Sequence, residues 1–403
     1  MSKRVFSLAA IWEVFWAACK LGMTSFGGPI AHIGYFRDEY VVRRQWLNER
    51  AFADLVTLCQ FLPGPASSQL GMAIGVKRAG ISGAIAAWLG FTMPSAMLMV
   101  AFAYGADIVS LHDAGWLQGL KLAAVAIVAQ AVWSMSRTLA PDRLRGTLAL
   151  GAASMALLVP GMWGQLLPLL LCAAVGIFLL KPQVESVQPL NVDQTSQPVG
   201  RVVGVVMLLL FFLLLFFIPF ISRWTGSSLL SFIDGFFRAG SLVFGGGHVV
   251  LPMLEAAFLG SGANQLTNDQ FMSGYGAVQA VPGPLFTFAA YIGAALGQGP
   301  MRIVNAAIAL VAIFLPAFLL VIGALPFWEA LKQNRTAQSA LKGVNAGIVG
   351  ILLAALYDPI FVDTVNTSIQ FVLVIVLFMF IQLWKRPPWQ AVLLAAFAGL
   401  LFL

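Results

Sequence analysis

Residues 20–29, KLGMTSFGGP, and 60–65, QFLPGP, return later in the chain as RAGSLVFGGG at 238–247 and QAVPGP at 279–284. Lys20 and Arg238 stand 218 residues apart, as do the pairs Gly27-Gly28 and Gly245-Gly246 with their preceding Phe26 and Phe244. The offset is 219 between Gln60 and Gln279 and between Pro63-Gly64-Pro65 and Pro282-Gly283-Pro284. Proline lacks a backbone donor and clashes with the preceding turn, so each Pro-Gly-Pro breaks a helix. Apolar segments interrupted by Gly and Pro, and present twice, are the sequence mark of transporters built from repeats, with the ligand bound where the repeats meet.

Composition agrees. The chain of 403 residues is 60% hydrophobic and 10% charged, with a mean hydropathy of +0.89. A soluble protein of this length needs far more polar surface. Apolar stretches of membrane-spanning length recur at 81–104, 202–221, 303–325 and 368–383. They are continuously apolar, without the alternation of a β-barrel. The fold class expected is therefore an all-α polytopic membrane protein. The net charge of +7 reads as basic loops gathered on one membrane side, with no nucleic-acid partner. Cys19, Cys59 and Cys172 lie in apolar segments without CxxC spacing, and read as buried apolar residues. No small-residue cleavage site follows the basic Met1–Arg4 start, so no removable signal peptide is expected.

Loop charge sets the orientation. Arg37, Arg43, Arg44 and Arg50 fall in 37–50, whereas the equivalent 259–270 has no Lys or Arg. Loops rich in basic residues stay cytoplasmic, so these two loops belong on opposite sides and the halves form an inverted-topology repeat. Residues 51–76 are basic at both ends and broken at Pro63-Gly64-Pro65. Half-helices of about 11 residues reach only ~16 Å, half a bilayer. A re-entrant hairpin follows, and 6–36 reads the same way around Gly27-Gly28-Pro29. Irregular backbone at that depth must line a cavity or be buried in protein. The halves expected are 1–180 and 229–403, joined by a polar cytoplasmic linker, 181–201, and an inverting transmembrane helix, 202–228. The second half repeats the plan with broken hairpins at 229–259 and 271–298, then spans at 303–325, 343–357, 367–383 and 389–403.

The hairpin tips are the candidate anion site. Each leaves unpaired backbone N–H groups at the start of its second half-helix, where the helix dipole favours negative charge. Ser67 and Ser68 follow the first Pro-Gly-Pro, and Thr287 follows the second; Ile30, His32 and His248 follow the glycine breaks. The competing reading of the glycines is close helix packing. Lys20 and Arg238 sit deep in apolar sequence, where a cation is costly and marks function by default. Related by a pseudo-two-fold they can neutralise a dianion; otherwise they pair with Glu13, Asp234 or Glu255, or snorkel. Gln60 and Gln279 either donate to an oxyanion or cap the broken half-helices. Asp54 and Glu255 are the proton-carrier candidates, although Asp54 also reads as an exposed acid at a helix start. His248 can bond an oxyanion, titrate near neutral pH or serve the structure. No phosphate-binding Gly-rich loop, metal-ligand spacing or Gly-x-Ser-x-Gly occurs, so neither ATP hydrolysis nor a catalytic centre is read in the sequence.

At these residues the chain resembles the chromate ion transporter family in its long, two-domain form. Lys20-Leu21-Gly22 through Pro29, Gln60–Pro65, Phe244–His248 and Val281–Pro284 carry the resemblance, which covers nearly the whole chain. It implies a bacterial inner-membrane exporter of chromate, a tetrahedral dianion similar to sulfate. Such export would give chromate resistance and be driven by membrane potential or the proton gradient. The second copy departs from the first: Pro29 becomes Gly247, and Ser67-Ser68 become Phe286-Thr287, so the halves need not contribute equally.

The reading is a secondary transporter of a divalent oxyanion, without cofactor, in a lipid bilayer. Sulfate is a competing substrate, an oxyanion permease or channel a competing mechanism, and a homodimer is left open. A membrane enzyme would need a nucleophile, metal set or acid–base pair. Inversion is directly testable. Single cysteines at Asn48 and Asn264, in a Cys-free background, are expected to label from opposite membrane sides; labelling from one side leaves a parallel duplication.

Overall fold

A computed structural model of the chain describes residues 7–26, 28–108, 115–159, 162–180, 199–243, 247–260 and 265–402. These residues are almost wholly helical. The first half comprises α1 (Leu8–Thr24), α2 (Gly28–Arg37), α3 (Glu49–Phe61), α4 (Ala66–Ile108), α5 (Gly115–Leu139), α6 (Arg143–Leu158) and α7 (Met162–Leu179). A helix without a first-half equivalent, α8 (Arg201–Thr225), follows. The second half comprises α9 (Ser228–Leu242), α10 (Val250–Phe258), α11 (Asn268–Ala280), α12 (Phe288–Ala295), α13 (Met301–Ala324), α14 (Trp328–Gln333), α15 (Arg335–Ala355), α16 (Ser368–Gln382) and α17 (Pro388–Phe402).

The repeat holds residue by residue at its breaks. Helix α3 and helix α11 coincide end to end at the 219-residue offset. Asn48 and Thr267 occupy the same N-cap position and accept from Ala51 N–H and Gln270 N–H, satisfying one orphan donor each. Both helices stop at an extended residue, Leu62 or Val281, where proline follows. Gly64 and Gly283 then take φ of +120° and +101°, a region open to glycine. The half-length helices expected around each tip are present. The span 81–104 is the second arm of α4, joined to the first through a bend at Ala79-Gly80. Helix α15 starts eight residues before the expected 343, because Asn334 caps it by accepting from Ala337 N–H. Most of the linker, 181–198, and Asn264 lie outside the described residues.

Five helices are long and apolar enough to cross a membrane, and four shorter apolar helices accompany them, among the described residues. Helix α8 turns Leu209, Phe212, Phe216 and Phe220 outward, as a lipid-facing helix does. It packs inward on α9 and α13.

The halves are interlaced. Helix α5 packs against α16 and α17, while its equivalent, α15, packs against α6 and α7. At the centre the second arm of α4 lies along α13. Trp88, early in that arm, packs on Phe314 and Phe318; Tyr104, at its far end, packs under Arg302 at the start of α13. These two equivalent segments therefore run antiparallel to each other.

The tips close the core. Gly64 N–H donates to the Val243 carbonyl (2.6 Å), and Gly283 N–H donates to the Ser25 carbonyl (2.9 Å). Val243 is the repeat equivalent of Ser25, so each tip bonds to the break of the other half. A Cβ on Gly64 would lie 2.8 Å from Gln69 Nε2, and one on Gly283 3.1 Å from Ser95 Cβ. Gly64→Ala and Gly283→Ala are each expected to destabilise the protein by about 1–3 kcal/mol through backbone strain and displaced contacts. A lowered thermal-unfolding midpoint of both purified variants is the measurement; wild-type midpoints would show that the tips relax freely.

Candidate functional site

The two tips and the two glycine breaks meet around one small cavity. Its lining is His32, Pro65, Ser67, Gly247, Pro284, Leu285 and Phe286. All of these residues but His32 stand at or near a helix start. Pro65 and Ser67 open α4, and Gln69 N–H is the first in that helix to bond back, to the Pro65 carbonyl at 2.9 Å. Pro284 to Phe286 lead through a 3-10 turn into α12, where Thr287 N–H bonds back to the Pro284 carbonyl at 3.0 Å. Gly247 starts the turn into α10, and His32 lies in the first part of α2. Helix starts carry unpaired N–H groups and partial positive charge. Three such starts converge on one buried point, opposite the His32 ring.

Buried polar atoms gather on the same tips. Ser25 Oγ, both His32 ring nitrogens, Ser68 Oγ, Gln69 Oε1 and Thr92 Oγ1 have no hydrogen-bond partner of standard geometry among the described residues, while the Gln279 side chain reaches the Tyr275 hydroxyl. The His32 ring lies beside the Ser25 carbonyl, without a hydrogen bond of standard geometry. Each such atom costs on the order of 1–3 kcal/mol when left bare. Ser95 Oγ and Thr287 Oγ1 pair across the halves at 2.7 Å, buried.

The residues singled out in the sequence divide accordingly. Pro65, Ser67 and Pro284 line the cavity; Gly64, Gly283, Ser68 and Thr287 lie directly behind it. Pro63 accepts from Gln69 Nε2 at 2.7 Å, so Gln69 is the amide that holds the first tip, whereas Gln60 is exposed. Gln279, its equivalent, is buried. Phe26 packs its ring on Trp389, and Gly28 adopts φ +79° at the start of α2. Pro282 is half-buried beside Gly283. Gly27, Phe244, Gly245 and Gly246 lie outside the described residues, as does the side chain of His248. Asp54, on α3, faces the charge of Lys77. Glu255, on α10, has Asp358 and Asp363 as its nearest charges and a buried, unpartnered Oε2.

Lys20 and Arg238 do not line the cavity. Lys20 Nζ lies 2.7 Å from Glu39 Oε2, and Arg238 Nε 2.7 Å from Asp234 Oδ1. Glu39 was not among the partners expected for Lys20. It is 5% exposed and also takes Arg44 Nε on Oε1 at 2.8 Å. Glu13 extends the network to Arg44 and Arg78, whose guanidinium groups both lie over Trp46, 5.2 Å from its ring centre. Across the halves, Lys121 on α5 pairs with Asp269 on α11 at 2.7 Å.

The chromate transporter family model matches twice, over residues 12–178 and 230–400. This chain belongs to the chromate transporter family. A chromate transport protein of Pseudomonas aeruginosa is 27% identical over 355 residues, covering 86% of this chain and 80% of that protein. A probable chromate transport protein of Synechococcus elongatus is 25% identical over 408 residues, covering 98% and 96%. An uncharacterized transporter of Methanocaldococcus jannaschii is 26% identical over 380 residues, covering 93% and 90%. No solved structure matches the chain. Family membership and the apolar helices together make this a multi-pass membrane protein. The two family matches begin on α1 and α9 and end on α7 and α17, so the duplication includes every helix except α8 and its flanks.

Sequence reading passed over Ser25, Thr92 and Ser95. The signal for Ser95 was present: Pro94-Ser95 and Pro316-Ala317 form a further matched pair, at an offset of 222.

The Glu39 cluster gives a test by pH. Burial alone would raise its carboxyl; hydrogen bonds from Lys20 and Arg44 outweigh this and hold it below the ordinary carboxylate range. A depressed group stabilises the fold above its unfolded pKa, about 4.3, and that share is lost as pH falls through the lower folded value. Glu39→Gln is expected to cost on the order of 1–2 kcal/mol near neutral pH, because its partners are part-exposed and screened. The unfolding midpoints of variant and wild type should converge as pH falls below about 4. A constant gap across the range would show that charge pairing is not the source.

Proposed function

We propose that this protein transports chromate across a bacterial inner membrane by alternating access, as an exporter conferring chromate resistance. The observation that carries the reading is the convergence of three helix starts and the His32 ring, drawn from both halves, on one buried cavity in a member of this family. Converging N–H groups favour a small oxyanion, and chromate is the substrate named for the Pseudomonas and Synechococcus relatives. In this reading residues 1–180 and 229–403 are inverted repeats, with α8 as the crossing that reverses the second. Loop charge and the antiparallel course of α13 against the second arm of α4 support it.

Lys20 and Arg238 take equivalent positions before the breaks and set a positive potential around the tips. Glu39 and Asp234 keep them paired until an anion draws them away. A dianion then finds a planar fork on Arg238 and a point charge on Lys20. Membrane potential alone can expel a dianion from a cell that is negative inside, since each charge gains about 2.3 kcal/mol per 100 mV. Glu255 and Asp54 are the groups through which a proton gradient would act.

Everted membrane vesicles provide the test. Saturable chromate uptake that responds to an imposed potential or pH gradient, and that sulfate competes with weakly, is the expected result. Gradient-independent flux without saturation would make the protein a channel, and sulfate preferred over chromate would reassign the substrate. Lys20→Gln and Arg238→Gln are each expected to weaken chromate binding to purified protein about tenfold or more. Wild-type affinity in both would remove them from the site.

A further inference from the structure

The two-fold relation between the halves breaks down at the cavity wall. Among the described side chains that line it, the polar ones are His32 and Ser67, both from the first half. At the equivalent positions the second half has Val250 and Phe286. The asymmetry continues behind the wall. Ser25 is matched by Val243, and Ser95 by Ala317. Each of these polar residues is buried, and so are its apolar equivalents. The second half presents Gly247, Pro284, Leu285 and Phe286, which offer backbone and hydrocarbon.

His32 is the decisive group. It is 1% exposed, lines the cavity and has no hydrogen-bond partner for either ring nitrogen among the described residues. Its edge-on contact with Phe91, 5.4 Å between ring centres, fixes the ring plane. A buried imidazole can set one nitrogen against the Ser25 carbonyl, and its other nitrogen costs free energy unless something polar sits beside it. An oxyanion supplies that partner, since each of its oxygens accepts a hydrogen bond and an imidazole N–H donates one. Ser67 adds a hydroxyl donor next to the free N–H groups that open α4. No equivalent donors come from Val250 or Phe286.

Resting on the functional reading above, we propose that this cavity, closed here to about the space of one water molecule, opens to bind a single tetrahedral oxyanion per chain. The anion sits off the pseudo-two-fold axis, against the first half, with His32 and Ser67 as its side-chain ligands. The second half contributes helix-start N–H groups and an apolar wall. A symmetric pair of sites, one per half, is thereby excluded. The side-chain ligands of the anion then differ from the repeated cations that flank it.

Equilibrium dialysis of the purified full-length protein with chromate, and separately with sulfate, provides the measurement. Wild type should bind close to one chromate per chain. His32→Ala and Ser67→Ala should each weaken binding about tenfold or more, the usual loss for a hydrogen bond to a charged group. His32→Gln, whose amide keeps a donor, should recover part of the affinity. Val250→Ala and Ala317→Ser, at equivalent positions of the second half, should stay within about threefold of wild type, consistent with no lost hydrogen bond to the anion. Thermal unfolding of each variant separates a binding loss from misfolding, and Ser67→Ala keeps the test open if His32 variants do not fold. Two equal sites per chain would overturn the proposal and leave oxyanion transport standing. So would a loss at Val250→Ala or at His248→Ala equal to that at His32→Ala. No saturable binding of either anion to wild type would overturn the transport reading, and this inference with it.

Discussion

Two backbone hydrogen bonds, from Gly64 to Val243 and from Gly283 to Ser25, tie each half's Pro-Gly-Pro tip to the broken helix of the other. In an apolar interior an unpaired amide costs several times the net worth of a bond in water. A chain that interrupts its helices at this depth must therefore find partners for the freed groups, and here each half finds them in the other. Neither tip could be satisfied in this way by its own half alone. The halves are also interlaced elsewhere, since α5 packs against α16 and α17 and α15 against α6 and α7.

The same constraint builds the cavity. Helix starts that meet head to head cannot bond one another, because all present donors. Their partial positive charges repel, and a negative ligand between them relieves the repulsion. The surrounding polar side chains are distributed unevenly. Ser25, His32, Ser67, Thr92 and Ser95 belong to the first half and have apolar equivalents, whereas Ser68 and Thr287 are polar in both halves. The two copies share a backbone plan without sharing side-chain chemistry.

The repeated cations follow another logic. Lys20 and Arg238 are equivalent by repeat, but Glu39 lies 19 residues beyond Lys20 while Asp234 lies one helical turn before Arg238. The repeat preserved the cation and left its partner to local circumstance. Trp46, between Arg44 and Arg78, together with Tyr40 stacked on it at 5.2 Å, braces the network on the first half.

The positions of the breaks were legible in the sequence, because proline and glycine act on the backbone at the residues where they stand. Helices α3 and α11 end within two residues of their Pro-Gly-Pro, as local sterics require. Apolar length likewise announced α8, α13 and the second arm of α4. Pairing was not legible. That Gln69, and not Gln60, holds the first tip depends on which way α4 turns after Pro65. That Lys20 meets Glu39 depends on how α1 lies against the segment after α2. His32, three residues past the quoted motif, gained its importance only when the tip of the second half was brought against it. Local sequence determines where a helix must stop, since that is a matter of adjacent atoms. Only the tertiary structure decides which donors end up facing one another, since residues 219 apart in the chain meet through the packing of everything between them.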